Sequence, residues 1–164
     1  MIKLRNQGVM LVSRIEIDDV DRQIIQALQE DGRVPFLTIA NQLGLAEGTI
    51  RRRVARLLDE KVLEIVGVTD PLKVGMHTVA IVGLNVERRR IEDTIERLKQ
   101  MPEVRYIAVA TGMYDVITEI VVQSNDALLE FLIKKLNDIP WILNTGTSLI
   151  LKIAKQDFAW GPDD

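Results

Sequence analysis

No cysteine occurs in this 164-residue sequence, and histidine occurs once, at His77. The first absence removes disulfide staples, thiolate metal sites and cysteine nucleophiles, and it points to a cytoplasmic chain, because small secreted domains commonly rely on disulfides. The second removes His-based metal centres and Ser-His-Asp triads. With cysteine and histidine chemistry set aside, the expectation is a protein without a metal or cofactor that is not an enzyme. His77 itself reads as a partly buried residue at a strand start. Long apolar runs are also missing. Stretches such as Val79–Leu84 are strand-sized, so neither a transmembrane helix nor a membrane partner is expected. The run Val9–Val12 is too short for a secretory signal, and residues 1–14 read as a loosely packed extension. An excess of positive charge is lacking too: the 21 Lys and Arg stand against 24 Asp and Glu, a net charge of −3. A nucleic acid would therefore have to meet a local basic patch.

What is present is ordinary for a globular protein. The chain is 47% hydrophobic and 27% charged, with mean hydropathy near zero, enough apolar material for a real core. Its length suits one domain or two small ones. Residues 17–60 read as helix. Asp18 and Asp19 cap a first helix whose Val20, Ile24, Ile25 and Leu28 share a face, and Asp31-Gly32 ends it. A second helix is expected from Phe36 to Leu43, with Ile39, Ala40 and Leu43 inward. Gly44-Leu45 then turns the chain into a third helix from Glu47 to Glu60, with Ile50, Val54, Leu57 and Leu58 inward. Two short helices joined through a glycine turn, with small Ala40 at their crossing, describe a helix-turn-helix. Val62–Val68 reads as a short hairpin or wing, and Asp70–Gly75 as a linker broken by proline and glycine.

Beyond Met76 the pattern changes. Strands are expected at Val79–Val86, Val104–Ala110, Val116–Val122 and Leu149–Ile153. Helices are expected at Glu87–Met101 and at Asp126–Ile139, the latter carrying Leu128, Leu129, Leu132 and Leu136. The order βαββαβ is the ferredoxin-like arrangement. The fold class is thus α+β. The expected divisions are an extension over 1–14, a winged helix-turn-helix over 15–68, a linker over 69–75, a ferredoxin-like domain over 76–156 and a tail over 157–164. Val79, Ile81, Val82 and Leu84 are apolar on both faces of one strand. Two helices cover one face of such a sheet, and the same face of a second chain is the cheapest cover for the other, so a homodimer is expected.

The third helix carries four arginines in the six positions 51–56. At about 100° per residue, Gly48, Thr49, Arg52 and Arg56 lie opposite the buried stripe, flanked by Arg51 and Arg53. Arginine suits nucleic acid because its planar fork matches guanine O6 and N7, or phosphate. Glycine and threonine at the helix start let a DNA backbone approach uncapped N–H groups. The candidate DNA-binding residues are therefore Gly48, Thr49, Arg51, Arg52, Arg53 and Arg56. For Arg53 a structural ion pair with Asp19 or Asp21 competes evenly with a phosphate contact.

Taken together, these segments resemble the Lrp/AsnC (feast/famine) family of transcription regulators. The resemblance is carried by Ile17–Arg22, Leu28–Arg33, Ile39-Ala40, Leu43–Leu45, Arg51–Arg53, Arg56-Leu57, Asp70-Pro71 with Gly75, and the turn Thr111–Asp115, over roughly residues 17–155. It implies a sequence-specific regulator of double-stranded DNA, modulated by an amino acid or related metabolite, whose dimers assemble as a tetramer of dimers. By position it implies an effector site at Gly112, Tyr114 and Asp115, with Thr145 and Thr147 on the last strand. An alternative reading makes Gly112 and Asp115 plain hairpin-turn residues. Four positions depart from the family pattern. Pro35 and Ala46 replace capping Ser or Thr, Lys61 replaces a glycine, and Met113 stands where an acidic residue is common. Two other functions compete: a tetrapyrrole (sirohaem-type) decarboxylase of the same architecture, and an architectural DNA-compacting protein.

Overall fold

The computed structural model describes residues 15–156, so the expected extension at 1–14 and tail at 157–164 lie outside the described residues. The chain divides into two compact units, with the break between Gly67 and Val68.

In the first unit α1 (Asp19–Glu30) begins with a capping box: the Asp18 side chain accepts from the Asp21 N–H, and the Asp21 side chain accepts from the Asp18 N–H. Helix α2 (Phe36–Leu43) ends on Gly44 at φ 65°, whose left-handed backbone turns the chain into α3 (Glu47–Asp59). Neither Pro35 nor Ala46 supplies a capping side chain to the helix it precedes. Ile24, Leu28, Ile39, Ala40, Ile50, Val54, Leu57 and Leu63 form the buried core. Leu58, expected inward, is 38% exposed, because the buried stripe of α3 closes on Leu57 and then on Leu63.

The expected wing is not there. Residues 62–68 pair with no strand. Lys61 stands at φ 57°, and the N–H groups of Val62 and Leu63 both donate to the Leu57 carbonyl, which folds the segment back against the helix end. Ile65 comes close enough to α1 that a Cβ on Gly32 would lie 3.3 Å from its Cγ2. With no returning strand, a single extended segment has nothing to pair with.

The second unit opens with a 3-10 turn at Leu72–Val74. It then builds β1 (Thr78–Val86), a 3-10 turn at Arg88–Arg90, α4 (Ile91–Lys99), β2 (Val104–Val109), β3 (Val116–Val122), α5 (Asn125–Glu130) running into a π-turn over Phe131–Leu136, and β4 (Ile142–Leu149). The sheet order is β2-β3-β1-β4 with every neighbouring pair antiparallel, the ferredoxin-like topology. His77 is exposed just before β1. The last strand lies earlier than the apolar run Leu149–Ile153. Antiparallel pairing sets it: β1 spans Thr78–Val86, Leu149 already pairs with Ala80, and Leu151 beyond it is 90% exposed. The wider π-turn aligns residues five apart, so Phe131 and Leu136 are both buried while Leu129 and Ile133 are exposed. Helix residues Leu98, Leu128, Phe131 and Leu136 pack on Ala80, Val82, Leu84, Val116 and Ile120, which share one sheet face. No helix among the described residues is long and apolar enough to cross a membrane.

Lys61 is the one non-glycine residue with a positive φ among the described residues. Left-handed backbone strains a side chain that glycine would not carry, so Lys61→Gly is expected to stabilise the first unit by up to about 1 kcal/mol. Denaturant unfolding of the two chains measures it.

Candidate nucleic-acid interface and ligand-binding face

Residues 15–67 carry seven Lys and Arg against ten Asp and Glu, so the helix-turn-helix unit has no general attraction for a polyanion. Its arginines are concentrated on α3, and the structure treats the four differently. Arg51 donates to Glu47 at 2.7 Å and lies 5.5 Å from the Phe36 ring centroid. The Arg53 guanidinium bridges Asp18 at 2.7 Å and Asp21 at 2.9 Å. Arg56 pairs with the other Asp21 oxygen and reaches the Glu16 carbonyl at 3.4 Å. Arg52 is exposed and has no partner among the described residues.

Asp21 is the centre of this arrangement. Its side chain is only 1% exposed and receives Arg53, Arg56 and the Asp18 N–H. A buried carboxylate needs such donors, and removing a partner from a buried pair costs about 3–5 kcal/mol. Asp18 shares the load: the Asp21 N–H and then the Arg53 guanidinium hold its carboxyl below the ordinary value. Arg53 makes the ion pair that the sequence allows, with Asp18 in place of Asp19 beside Asp21. Arg56, expected on the open face, is drawn into the same network. Thr49, Arg52, Arg53 and Arg56 still line one open depression of about 310 Å³. At the start of α3, Gly48 is exposed and a Cβ there would meet nothing within 4 Å, so packing inside the chain does not call for glycine.

In the second unit the residues expected at an effector site do not converge. Asp115 clamps the sheet: its carboxylate accepts from the Val86 N–H at 2.9 Å, and its own N–H donates to the Leu84 carbonyl at 3.0 Å. Gly112 stands at φ 128° in the exposed turn, where Met113 is 80% exposed. The Asn85 amide holds that turn through the Met113 carbonyl at 2.8 Å. Thr145 and Thr147 pair with Leu84 and Val82 and so belong to the helix-covered face, at the sheet edge. Tyr114 lies on the opposite face. A Cβ on Gly83 would come within 2.2 Å of its ring, and one on Gly146 within 1.9 Å of its hydroxyl. Gly83 and Gly146 are register partners on adjacent strands, so the ring occupies a slot that only their missing side chains leave open. Gly83 is a lone glycine inside the expected strand Val79–Val86, a signal of close approach that the sequence carries; Gly146 falls outside the expected last strand and carries none.

The profile of the AsnC-type helix-turn-helix domain matches residues 17–58, and that of the Lrp/AsnC ligand binding domain matches residues 79–160. The chain belongs to the Lrp/AsnC family. It is a transcription regulator with a helix-turn-helix DNA-binding domain and a ligand-binding domain, and these matches favour regulation over the decarboxylase and DNA-compacting readings. Among its family relatives, an HTH-type transcriptional regulator of Pyrococcus furiosus is 34% identical, over 87% of this chain and 97% of the relative. Another, from Pyrococcus horikoshii, is 31% identical over 89% of this chain and 93% of its own. E. coli AsnC superposes with a TM-score of 0.82 at 24% identity, covering 88% of this chain and 99% of that one. The feast or famine regulatory protein of M. tuberculosis, solved with L-methionine, gives a TM-score of 0.82 at 25% identity, covering 90% and 100%.

The slot makes a testable coupling. Gly83→Ala is expected to destabilise the second unit by about 1–3 kcal/mol through overpacking against Tyr114. Most of that loss should vanish when Tyr114→Ala is already present. Thermal or denaturant unfolding of the two single variants and the double variant measures it.

Proposed function

We propose that the chain binds a two-fold-related operator through α3 as a homodimer, and that an amino acid modulates its DNA binding or its assembly. The observation that carries the DNA reading is the outer α3 surface of exposed Gly48 and Arg52 with half-buried Thr49, set on a helix whose own start has no capping side chain. Uncapped first-turn N–H groups and the positive end of the helix dipole suit a phosphate. Arg51 exchanges Glu47 for a phosphate at little cost, because both are exposed. Arg53 and Arg56 act from their ion pairs, holding α3 against α1 while their free donors face the depression.

The dimer reading rests on the sheet. The face away from the helices carries Ile81, Ala108, Ile117 and Val121, with Tyr106 and one carboxylate, Glu119, among them and Tyr114 over its glycines, and a second copy of this largely apolar face covers it. Assembly of dimers into a tetramer of dimers follows the family resemblance. The amino-acid effector follows the likeness to two solved proteins whose structures hold L-methionine. Since Tyr114 and the Thr145–Thr147 edge lie on opposite faces of one sheet, a site using both needs more than one chain. Gly112 and Asp115 serve it by shaping the turn, and the exposed Met113 offers apolar contact where an acidic side chain would offer charge. Such a regulator works in the cytoplasm, with its DNA.

Selection of bound duplexes from a random pool by the full chain, combined with sedimentation in the presence and absence of L-methionine, tests the proposal. One shared two-fold sequence is expected, with a dimer or larger species whose size or DNA affinity changes with the amino acid. Recovery of no shared sequence contradicts the operator reading, and a monomer at micromolar concentration contradicts the sheet-to-sheet dimer.

A further inference from the structure

We infer that Arg52 alone, of the four arginines on α3, specifies a base, reading one guanine in each half-site. The inference rests on the proposed DNA-binding role of α3 and assigns the labour within it.

The argument is one of availability. To read guanine, an arginine must offer two parallel N–H donors to O6 and N7. Arg53 and Arg56 are anchored on Asp21, whose side chain is 1% exposed, and a swing of either guanidinium out to a base edge takes a donor from that buried carboxylate. Arg51 can give up Glu47, but it stands to the flank of the exposed surface, beside Phe36, where phosphate and not a base edge is in reach. Arg52 has no partner to give up among the described residues. It stands one turn beyond Gly48 and Thr49 on the same exposed surface, and it lines the depression with Thr49. At Gly48 no neighbouring atom comes within 4 Å of where a Cβ would be, so the helix start has room to sink toward base edges. The acidic balance of the unit sharpens the division. With seven cationic side chains against ten anionic ones over residues 15–67, loss of a base contact is poorly masked by non-specific attraction.

The experiment compares the full-length wild type with Arg52→Ala, Arg52→Lys and Arg51→Ala. Each selects duplexes from a random pool and is then titrated at several salt concentrations on the wild-type site and on unrelated DNA. Arg52→Ala is expected to lose the preference for G·C at one base pair per half-site and to bind the wild-type site about tenfold or more weakly, with unrelated DNA affected far less. Arg52→Lys should keep the charge without restoring the preference, since lysine lacks the fork. Arg51→Ala should weaken all sequences alike and flatten the salt dependence while keeping the selected sequence. Among the described residues the Arg52 side chain makes no hydrogen bond or ion pair, so its variants should melt with the wild type. A wild-type site that Arg52→Ala selects unchanged overturns the assignment while leaving the regulator intact, and so does a base preference erased by Arg51→Ala. A wild-type chain that selects no sequence overturns the DNA reading itself and this assignment with it.

Discussion

A carboxylate shut away from water has to be matched by donors, and at Asp21 the donors come from two elements at once. The Asp18 N–H arrives from the start of α1, and the guanidinium groups of Arg53 and Arg56 arrive from α3. Arg53 also reaches Asp18, so the cap of α1 and the middle of α3 share one ionic network. Breaking either arginine's link to Asp21 takes a donor from a carboxylate in the interior, which makes the network a stronger constraint on geometry than on net stability. The apolar core of Ile24, Ile39, Ile50 and Leu57 brings the helices together, and the network then specifies their rotation. That rotation decides which side of α3 meets the outside: Gly48, Thr49 and Arg52.

The second unit obeys a different constraint, the register of its sheet. Asp115 ties the turn to β1 through the Val86 N–H, and Asn85 ties it through the Met113 carbonyl. Those contacts deliver Tyr114 to the slot above Gly83 and Gly146. The turn is thus a structural clamp, and Gly112 and Asp115 act in it as turn residues. The backbone of the turn and the Tyr114 ring thereby take positions set by the sheet. The helices, confined to the other face, leave this surface free to be shared between copies.

Much of this was legible beforehand because it depends on local rules. Helices α1 to α3 follow from their apolar periodicity, the Asp18 cap and the Gly44 turn, and β3 was expected at the bounds it has. The misses share a physical character: each depends on a partner that the residues do not name. The last strand was sought in the apolar run at 149–153, whereas the length of β1 places it at Ile142–Leu149, where polar Asn144, Thr145 and Thr147 suffice for an edge. The wing needed a second strand. The π-turn at Phe131–Leu136 depends on how two bulky residues five apart find one core. On α3 the helical wheel located the Cβ atoms of Arg52 and Arg56 on one surface. It could not say that the longer reach of Arg56 ends on Asp21.

A crystal structure of the full chain on its selected duplex tests the central claim most directly, namely that Asp21 holds Arg53 and Arg56 so that Arg52 is the arginine free to read. The expected result is the Arg52 guanidinium paired with O6 and N7 of a guanine in each half-site, with Arg53 and Arg56 still on Asp21. A complex in which Arg53 or Arg56 leaves Asp21 for a base edge, with Arg52 turned to solvent, would contradict it.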